Sequence, residues 1–315
     1  MSFLLRTWRA HNLGLSEVVY TSIHQEDRPH SATSVRSMTS HPRRFTAVTS
    51  GAVVIVCVAL ATPAIAFASK ATRGVVVPKL ATRSVTTTCP RGEHVSFGGV
   101  VAQFVAPPHS GAIVLPEEMR RTAANQWTVS GTSESNVAGS RLTAVAYCDR
   151  GSVPSSVSNS VSIGGLRAGS AIATCPAGTV VVGGGYDSDA SAANQEIVVR
   201  LEALSARQWA VTVLNISSAA TTLTALGYCA RRSVAHEQST TLKLAAHKGG
   251  TARVTCPKST SLAFGGLAAN SSTSGSKTAV IAPFSWTAVS ATQWVVTAYN
   301  AGEATGSLDA FAYCR

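Results

Sequence analysis

Leu142–Arg150 reads LTAVAYCDR, Leu223–Arg231 reads LTALGYCAR, and Leu308–Arg315 reads LDAFAYCR. The three stretches share Leu, a polar residue, Ala, an apolar residue, Ala or Gly, then Tyr-Cys. Aligning backward from them exposes more common text. Gln126-Trp127, Gln208-Trp209 and Gln293-Trp294 each precede their Cys by about twenty residues. Further upstream, Thr-Cys-Pro recurs at Cys89, Cys175 and Cys256, and a glycine pair follows each: Gly98-Gly99, Gly184-Gly185 and Gly265-Gly266. One chain therefore holds three copies of a unit of about 80 residues, at 75–150, 160–231 and 240–315.

Within each unit the hydrophobic period is two. Trp209, Val211 and Val213 alternate with polar or smaller residues, as do Leu223, Ala225, Gly227 and Cys229. The fold class this predicts is all-β. The one helix-like stretch, LPEEMRRTAANQW, has no counterpart in the other two units. Trp127, Trp209 and Trp294 sit beside valines in alternating runs and are assigned to the core. The glycine pairs mark a bulge or a place where a second backbone passes closely. A proline directly after the first Cys of each unit removes a ladder donor, which puts that Cys at a strand end or sheet edge.

Beyond residue 68 there are six cysteines, two per unit: Cys89, Cys148, Cys175, Cys229, Cys256 and Cys314. An even count reads as a disulfide framework. Only two pairings treat the units alike. Either each unit closes on itself, or each unit's last Cys joins the next unit's first and Cys89 meets Cys314. The first is preferred, because each such pair brackets a complete set of strands. No C-x-x-C occurs and no His stands at ligand spacing from a Cys, so no metal and no cofactor is expected there.

A Cys near a strand start, a Gly-rich strand after it and a closing A-x-A-Y-C strand, three times over, resembles the secreted vitelline membrane outer layer protein family. The TCPxGxxxxGGG…W pattern also resembles repeats in secreted actinobacterial proteins. The first resemblance implies a pseudo-threefold β-prism of Greek-key sheets. The units here are longer and carry a repeated Gln-Trp, so three tandem β-sandwiches remain the alternative architecture.

The segment ahead of the repeats reads as an export signal. Arg43-Arg44 is followed by an apolar run from Ala52 to Leu60 and by Ala66-Phe67-Ala68. That order predicts cleavage after Ala68 and a secreted chain, with residues 1–68 an N-terminal extension plus signal peptide and Met38 the alternative start. The competing reading keeps residues 46–68 as an uncleaved membrane anchor.

The net charge is +11, but six of the 26 basic and three of the 15 acidic residues lie within 1–68, which leaves +8 spread over the rest. Nucleic-acid binders concentrate charge on a stripe with aromatics, and no such stripe occurs here, so nucleic acid is not an expected partner. An extracellular polysaccharide or cell-wall polymer is.

Among residues with chemistry to offer, Tyr147, Tyr228 and Tyr313 stand beside disulfide cysteines, point to the other strand face, and are assigned as surface aromatics contacting a ligand. His94, His109 and Glu117 are the candidates for an acid–base or metal site in the first unit, the basis of an alternative hydrolase reading. Glu117 and Glu118 are adjacent on a strand and so point apart. Asp187 and Asp189 form a D-x-D pair that suits calcium or a turn. Asn215 and Asn270 match the glycosylation acceptor pattern. No standard catalytic motif appears. The expected function is thus a secreted, disulfide-stabilised, non-enzymatic repeat protein that binds or coats an envelope polymer, with a purely structural coat as a further alternative.

Overall fold

Residues 69–103, 113–133, 140–189 and 195–315 are described by the structure, a computed structural model. The export signal, its cleavage site, the alternative anchor and His109 lie outside the described residues. Among the described residues no helix is long and apolar enough to cross a membrane.

Each repeat contributes six long strands. Repeat 1 holds β1 (Ser69–Val77), β2 (Thr82–Thr88), β3 (His94–Ala102), β4 (Val114–Ala123), β5 (Gln126–Ser133) and β6 (Ser140–Asp149). Repeat 2 holds β7 (Ser155–Ile163), β8 (Ala168–Thr174), β9 (Val180–Ser188), β10 (Glu196–Ser205), β11 (Gln208–Asn215) and β12 (Thr221–Ala230). Repeat 3 holds β13 (His236–Leu244), β14 (Gly249–Thr255), β15 (Leu262–Asn270), then a two-residue hairpin of β16 (Thr273–Ser274) and β17 (Lys277–Thr278). It continues with β18 (Ile281–Ala288), β19 (Gln293–Asn300) and β20 (Gly306–Cys314). The helix-like stretch of repeat 1 is the β4–β5 hairpin, turning at Ala124-Asn125. Glu118, Arg120 and Arg121 are half-buried on that strand and Glu117 is buried, so its charges do not form a helical stripe.

The strands form three six-stranded antiparallel sheets. Sheet I runs β1-β6-β3-β18-β19-β14, sheet II β2-β5-β4-β9-β12-β7, and sheet III β13-β20-β15-β10-β11-β8. Every sheet obeys one rule. The first, sixth and third strands of one repeat continue into the fourth, fifth and second long strands of the repeat before it, with repeat 3 standing before repeat 1. The all-β, three-repeat expectation is met in a prism-like, cyclic arrangement. Three tandem sandwiches are excluded, because every sheet belongs to two repeats.

The seam between repeats is the pairing of a third strand with a neighbour's fourth: Val100 with Trp286, Tyr186 with Met119, and Leu267 with Leu201. The glycine pairs build these seams. A Cβ on Gly98, Gly184 or Gly265 would lie 2.1–2.2 Å from the indole of Trp127, Trp209 or Trp294 in the same repeat. A Cβ on Gly99, Gly185 or Gly266 would lie 2.1–2.4 Å from a backbone oxygen of the neighbouring repeat, on Trp286, Met119 or Leu201. One glycine thus admits the tryptophan and the next admits the adjoining strand. Each indole N–H donates to the second glycine's carbonyl, at 3.3, 3.1 and 3.1 Å. The three tryptophans are fully enclosed.

The disulfides are Cys89–Cys148, Cys175–Cys229 and Cys256–Cys314. Each repeat closes on itself, as preferred from the sequence. The first Cys of each pair directly follows an edge strand (β2, β8 or β14), where proline costs no ladder bond. Its partner lies in a different sheet, so every disulfide ties two sheets together. The ring of repeats is closed by hydrogen bonding in sheet I, not by a Cys89–Cys314 bond.

Candidate functional site

Tyr147, Tyr228 and Tyr313 are not surface aromatics; they are 1–3% exposed. The third strand is bulged opposite the Tyr-Cys step in every repeat, while the sixth strand keeps an unbroken register with the first, so the tyrosine does point away from its Cys neighbour. However, the sheet does not end at the sixth strand but continues into the neighbouring repeat, whose fourth strand the phenol reaches. The Ala288 amide donates to Tyr147 Oη at 2.6 Å, the Arg121 amide to Tyr228 Oη at 2.7 Å, and the Ala203 amide to Tyr313 Oη at 2.9 Å. Arg121 also lies over the Tyr228 ring at 4.6 Å and Lys70 over the Tyr147 ring at 5.7 Å. Burial raises the phenol pKa of Tyr147 and of Tyr228 to about 12. These tyrosines latch repeats to one another.

Tyr228→Phe keeps the ring and leaves the Arg121 amide without its acceptor. The expected loss is about 2 kcal/mol, read as a lower urea midpoint with unchanged far-ultraviolet circular dichroism. No change in midpoint would mean that the latch contributes nothing.

Of the proposed grouping, His109 lies outside the described residues, and His94 and Glu117 are not brought together: the start of β3 meets the other end of β4, at Ala124. His94 opens β3 and is buried near Asp149, Arg121 and Arg232; desolvation lowers its pKa, Asp149 opposes this, and the arginines add to it. Glu117 lies beyond the far end of β3, in β4, with Thr132 and Glu196 as its neighbours. Asp187 and Asp189 do not share a centre either. Asp187 pairs with Arg120 at 3.4 Å, and Arg120 in turn binds Glu118 at 2.5 Å. Asp189 accepts from the Thr221 hydroxyl and from the Thr222 amide at 2.7 Å, which is the turn reading. Among the described residues no three His, Cys, Asp or Glu side chains converge on a metal position.

Asn215 is fully buried. Its side chain donates to the carbonyls of Gly164 and Ala219 and accepts from Ser217, so it pins a loop and offers no site for a glycan. Asn300 does the same work in repeat 3. Asn270 is exposed and binds Asp309.

The seam in sheet II holds a polar cluster that sequence reading did not assemble. Glu117 is the bulged residue of β4, where the corresponding bulges of β10 and β18 carry Val199 and Phe284. Five residues before each seam carbonyl, repeat 2 has Glu196 where repeats 1 and 3 have Val114 and Ile281. Directly after the glycine pair, repeat 2 has Tyr186 where the others have Val100 and Leu267. All three side chains are at most 2% exposed. The phenol oxygen of Tyr186 has no hydrogen-bond partner among the described residues, and the carboxylates of Glu117 and Glu196 are met by hydroxyls and by no cation. Burial drives the Glu117 pKa up to about 7; the nearby Thr132 hydroxyl opposes this and Glu196 reinforces it. Glu196 is raised chiefly by burial, and Tyr186 well above its ordinary value by burial and then by the two glutamates. The signal was present in the sequence as two glutamates and a tyrosine at positions where the sibling repeats are aliphatic or aromatic hydrocarbon.

Cross-strand hydroxyl pairs occur in each of the three sheets. Thr86 and Thr122 meet Thr128 at 2.8 and 2.9 Å, and Ser160 meets Thr224 at 2.8 Å, all in sheet II. Ser170 meets Thr212 at 2.8 Å in sheet III, and Thr251 meets Thr297 at 3.1 Å in sheet I.

Neither a protein-family model nor a curated protein sequence matches the chain.

Proposed function

We propose that this is a secreted, non-catalytic scaffold that binds a hydroxyl-rich extracellular or cell-envelope polysaccharide on its outer sheet faces. The coarser part stands on the bonds themselves: an all-β unit locked by three disulfides is consistent with a disulfide-stabilised extracellular protein. The observation that carries the binding reading is the repetition of paired hydroxyls on all three sheets. Strands about 4.8 Å apart set these hydroxyls side by side, a spacing suited to hydroxyls along a sugar chain. Repetition on three faces makes weak contacts reinforce one another. With the tyrosines engaged inside, aromatic stacking is no longer part of this reading. Membrane association enters it only if residues 46–68 stay attached, and nucleic acid does not enter it.

A second reading, a hydrolase with its site in repeat 1, draws on one observation: a carboxyl at Glu117 whose pKa of about 7 suits a general acid. It ranks second because Glu117 is 2% exposed and no substrate reaches it in this conformation.

The test is retention of the oxidised protein on immobilised cell-wall polysaccharides and peptidoglycan at low and moderate salt. Retention that soluble sugar competes away, and that Ser160→Val with Thr224→Val weakens, supports the proposal. Retention abolished by salt alone assigns it to the diffuse +8 charge, and no retention leaves a structural coat; either overturns the binding reading.

A further inference from the structure

We propose that Glu117, Glu196 and Tyr186 form an internal oxygen site for a hard cation of the calcium class, at the seam between repeats 1 and 2. The proposal does not depend on polysaccharide binding.

Three observations carry it. First, all five oxygens of these side chains are buried; the Tyr186 phenol has no hydrogen-bond partner among the described residues, and the carboxylates are met by the hydroxyls of Thr132, Thr221 and Ser188 and by no cation. The carboxylates are bonded neither to each other nor to the Tyr186 phenol, so a proton shared between them does not account for the arrangement. Tyr186 is 0% exposed, and its oxygen lies within electrostatic reach of both glutamates.

Second, the cluster is not needed for folding. At each of its three positions the same fold is built twice over with hydrocarbon: Val199 and Phe284, Val114 and Ile281, Val100 and Leu267, all buried. Two uncompensated carboxylates in such a place are costly, and removing them to hydrocarbon is an available solution that repeats 1 and 2 do not adopt at these positions.

Third, among the described residues the groups around the cluster supply oxygens and no positive charge. Arg120, the arginine nearest in β4, is engaged by Glu118 and Asp187 instead. Ser188 donates to the Glu117 carbonyl at 3.1 Å, and Thr221 donates to Asp189. Both hydroxyls also lie beside Glu196, and that of Thr132 beside Glu117, where they favour the charged carboxylates and add neutral oxygens to the cluster. Two carboxylates with neutral oxygens, and neither sulfur nor imidazole, is the donor set of calcium and not of zinc.

The test titrates calcium chloride into full-length, oxidised, chelator-treated protein, followed by calorimetry and by thermal unfolding at matched ionic strength. Saturable heat and a midpoint raised by about 5 °C are expected for the parent protein. Both should vanish in Glu117→Gln with Glu196→Gln. Glu117→Val, a substitution already present in repeat 2 as Val199, provides a folded control that should lose at least tenfold in affinity. Tyr186→Phe should weaken binding less than either glutamate change. Absence of heat and shift in the folded parent overturns the proposal. So does an equal shift with sodium chloride at the same ionic strength, or an unchanged shift in the glutamate variants.

Discussion

Replacing Cys89 and Cys148 together with serine is expected to lower the free energy of unfolding by about 4 kcal/mol, because the bond closes a segment with a sequence separation of 59. The same loss is expected for Cys175 with Cys229 and for Cys256 with Cys314, whose separations of 54 and 58 are nearly equal. In the chain-entropy account the effect lies in the unfolded state, which loses freedom when the loop is closed. A domain stable by about 5–15 kcal/mol does not survive losing all three, so full reduction should unfold the protein at room temperature. The sheets shared between repeats add a second expectation. Each single-pair variant should still unfold in one transition, since no repeat owns a complete sheet. Urea titrations followed by tryptophan fluorescence test both: a separate early transition for one repeat would show that the seams do not couple them.

Glu117→Val should stabilise the chelator-treated protein by about 3 kcal/mol at pH 8 and by almost nothing at pH 4.5. The carboxyl titrates near 7 in the folded chain, against an ordinary value of 4.5. Between these values the folded state holds a proton that the unfolded state has released. Stability from this group is therefore complete below about 4.5, falls as pH rises through 7, and is constant beyond. Valine has no proton to lose, so the variant should lack that slope. Burial of the charge is the cause: Val199 fills the corresponding place in repeat 2 with no such penalty. Urea midpoints at pH 4.5, 6, 7 and 8 provide the check. Parallel pH profiles for parent and variant would refute the assignment of the slope to Glu117.

Much of this was readable because it is local or because it recurs. Alternation of period two marks the strands. Three copies of Thr-Cys-Pro, Gly-Gly and Gln-Trp constrain one another, and treating the copies alike narrows the cystines to two pairings, of which the preferred one is present. The glycine pairs were read as a bulge or a close backbone approach; the second glycine of each pair makes that approach, while the first makes room for the tryptophan, which the sequence reading did not foresee. Function-bearing chemistry was less readable, for reasons that can be named. Tyr147 was assigned by alternation alone, which says nothing about a neighbouring repeat covering the other face. His94 and Glu117 are close in sequence, yet the length of β3 separates them. Glu196 and Tyr186 look unremarkable alone and become informative only when set against Val114, Ile281, Val100 and Leu267.

What the amino-acid sequence by itself determined is therefore the repeat, the strand content, a six-cysteine framework narrowed to two pairings and the tryptophan core. All of these depend on spacings within one unit, where side-chain period and loop closure act over short distances. Only the tertiary structure decided which strands share a sheet, that the tyrosines latch one repeat to the next, and that two glutamates and a phenol meet inside sheet II's seam. Those pairings join residues far apart in the chain. They are chosen by whether backbone amides, glycine clearances and buried charges from different repeats are satisfied together, a condition that no single unit's pattern encodes.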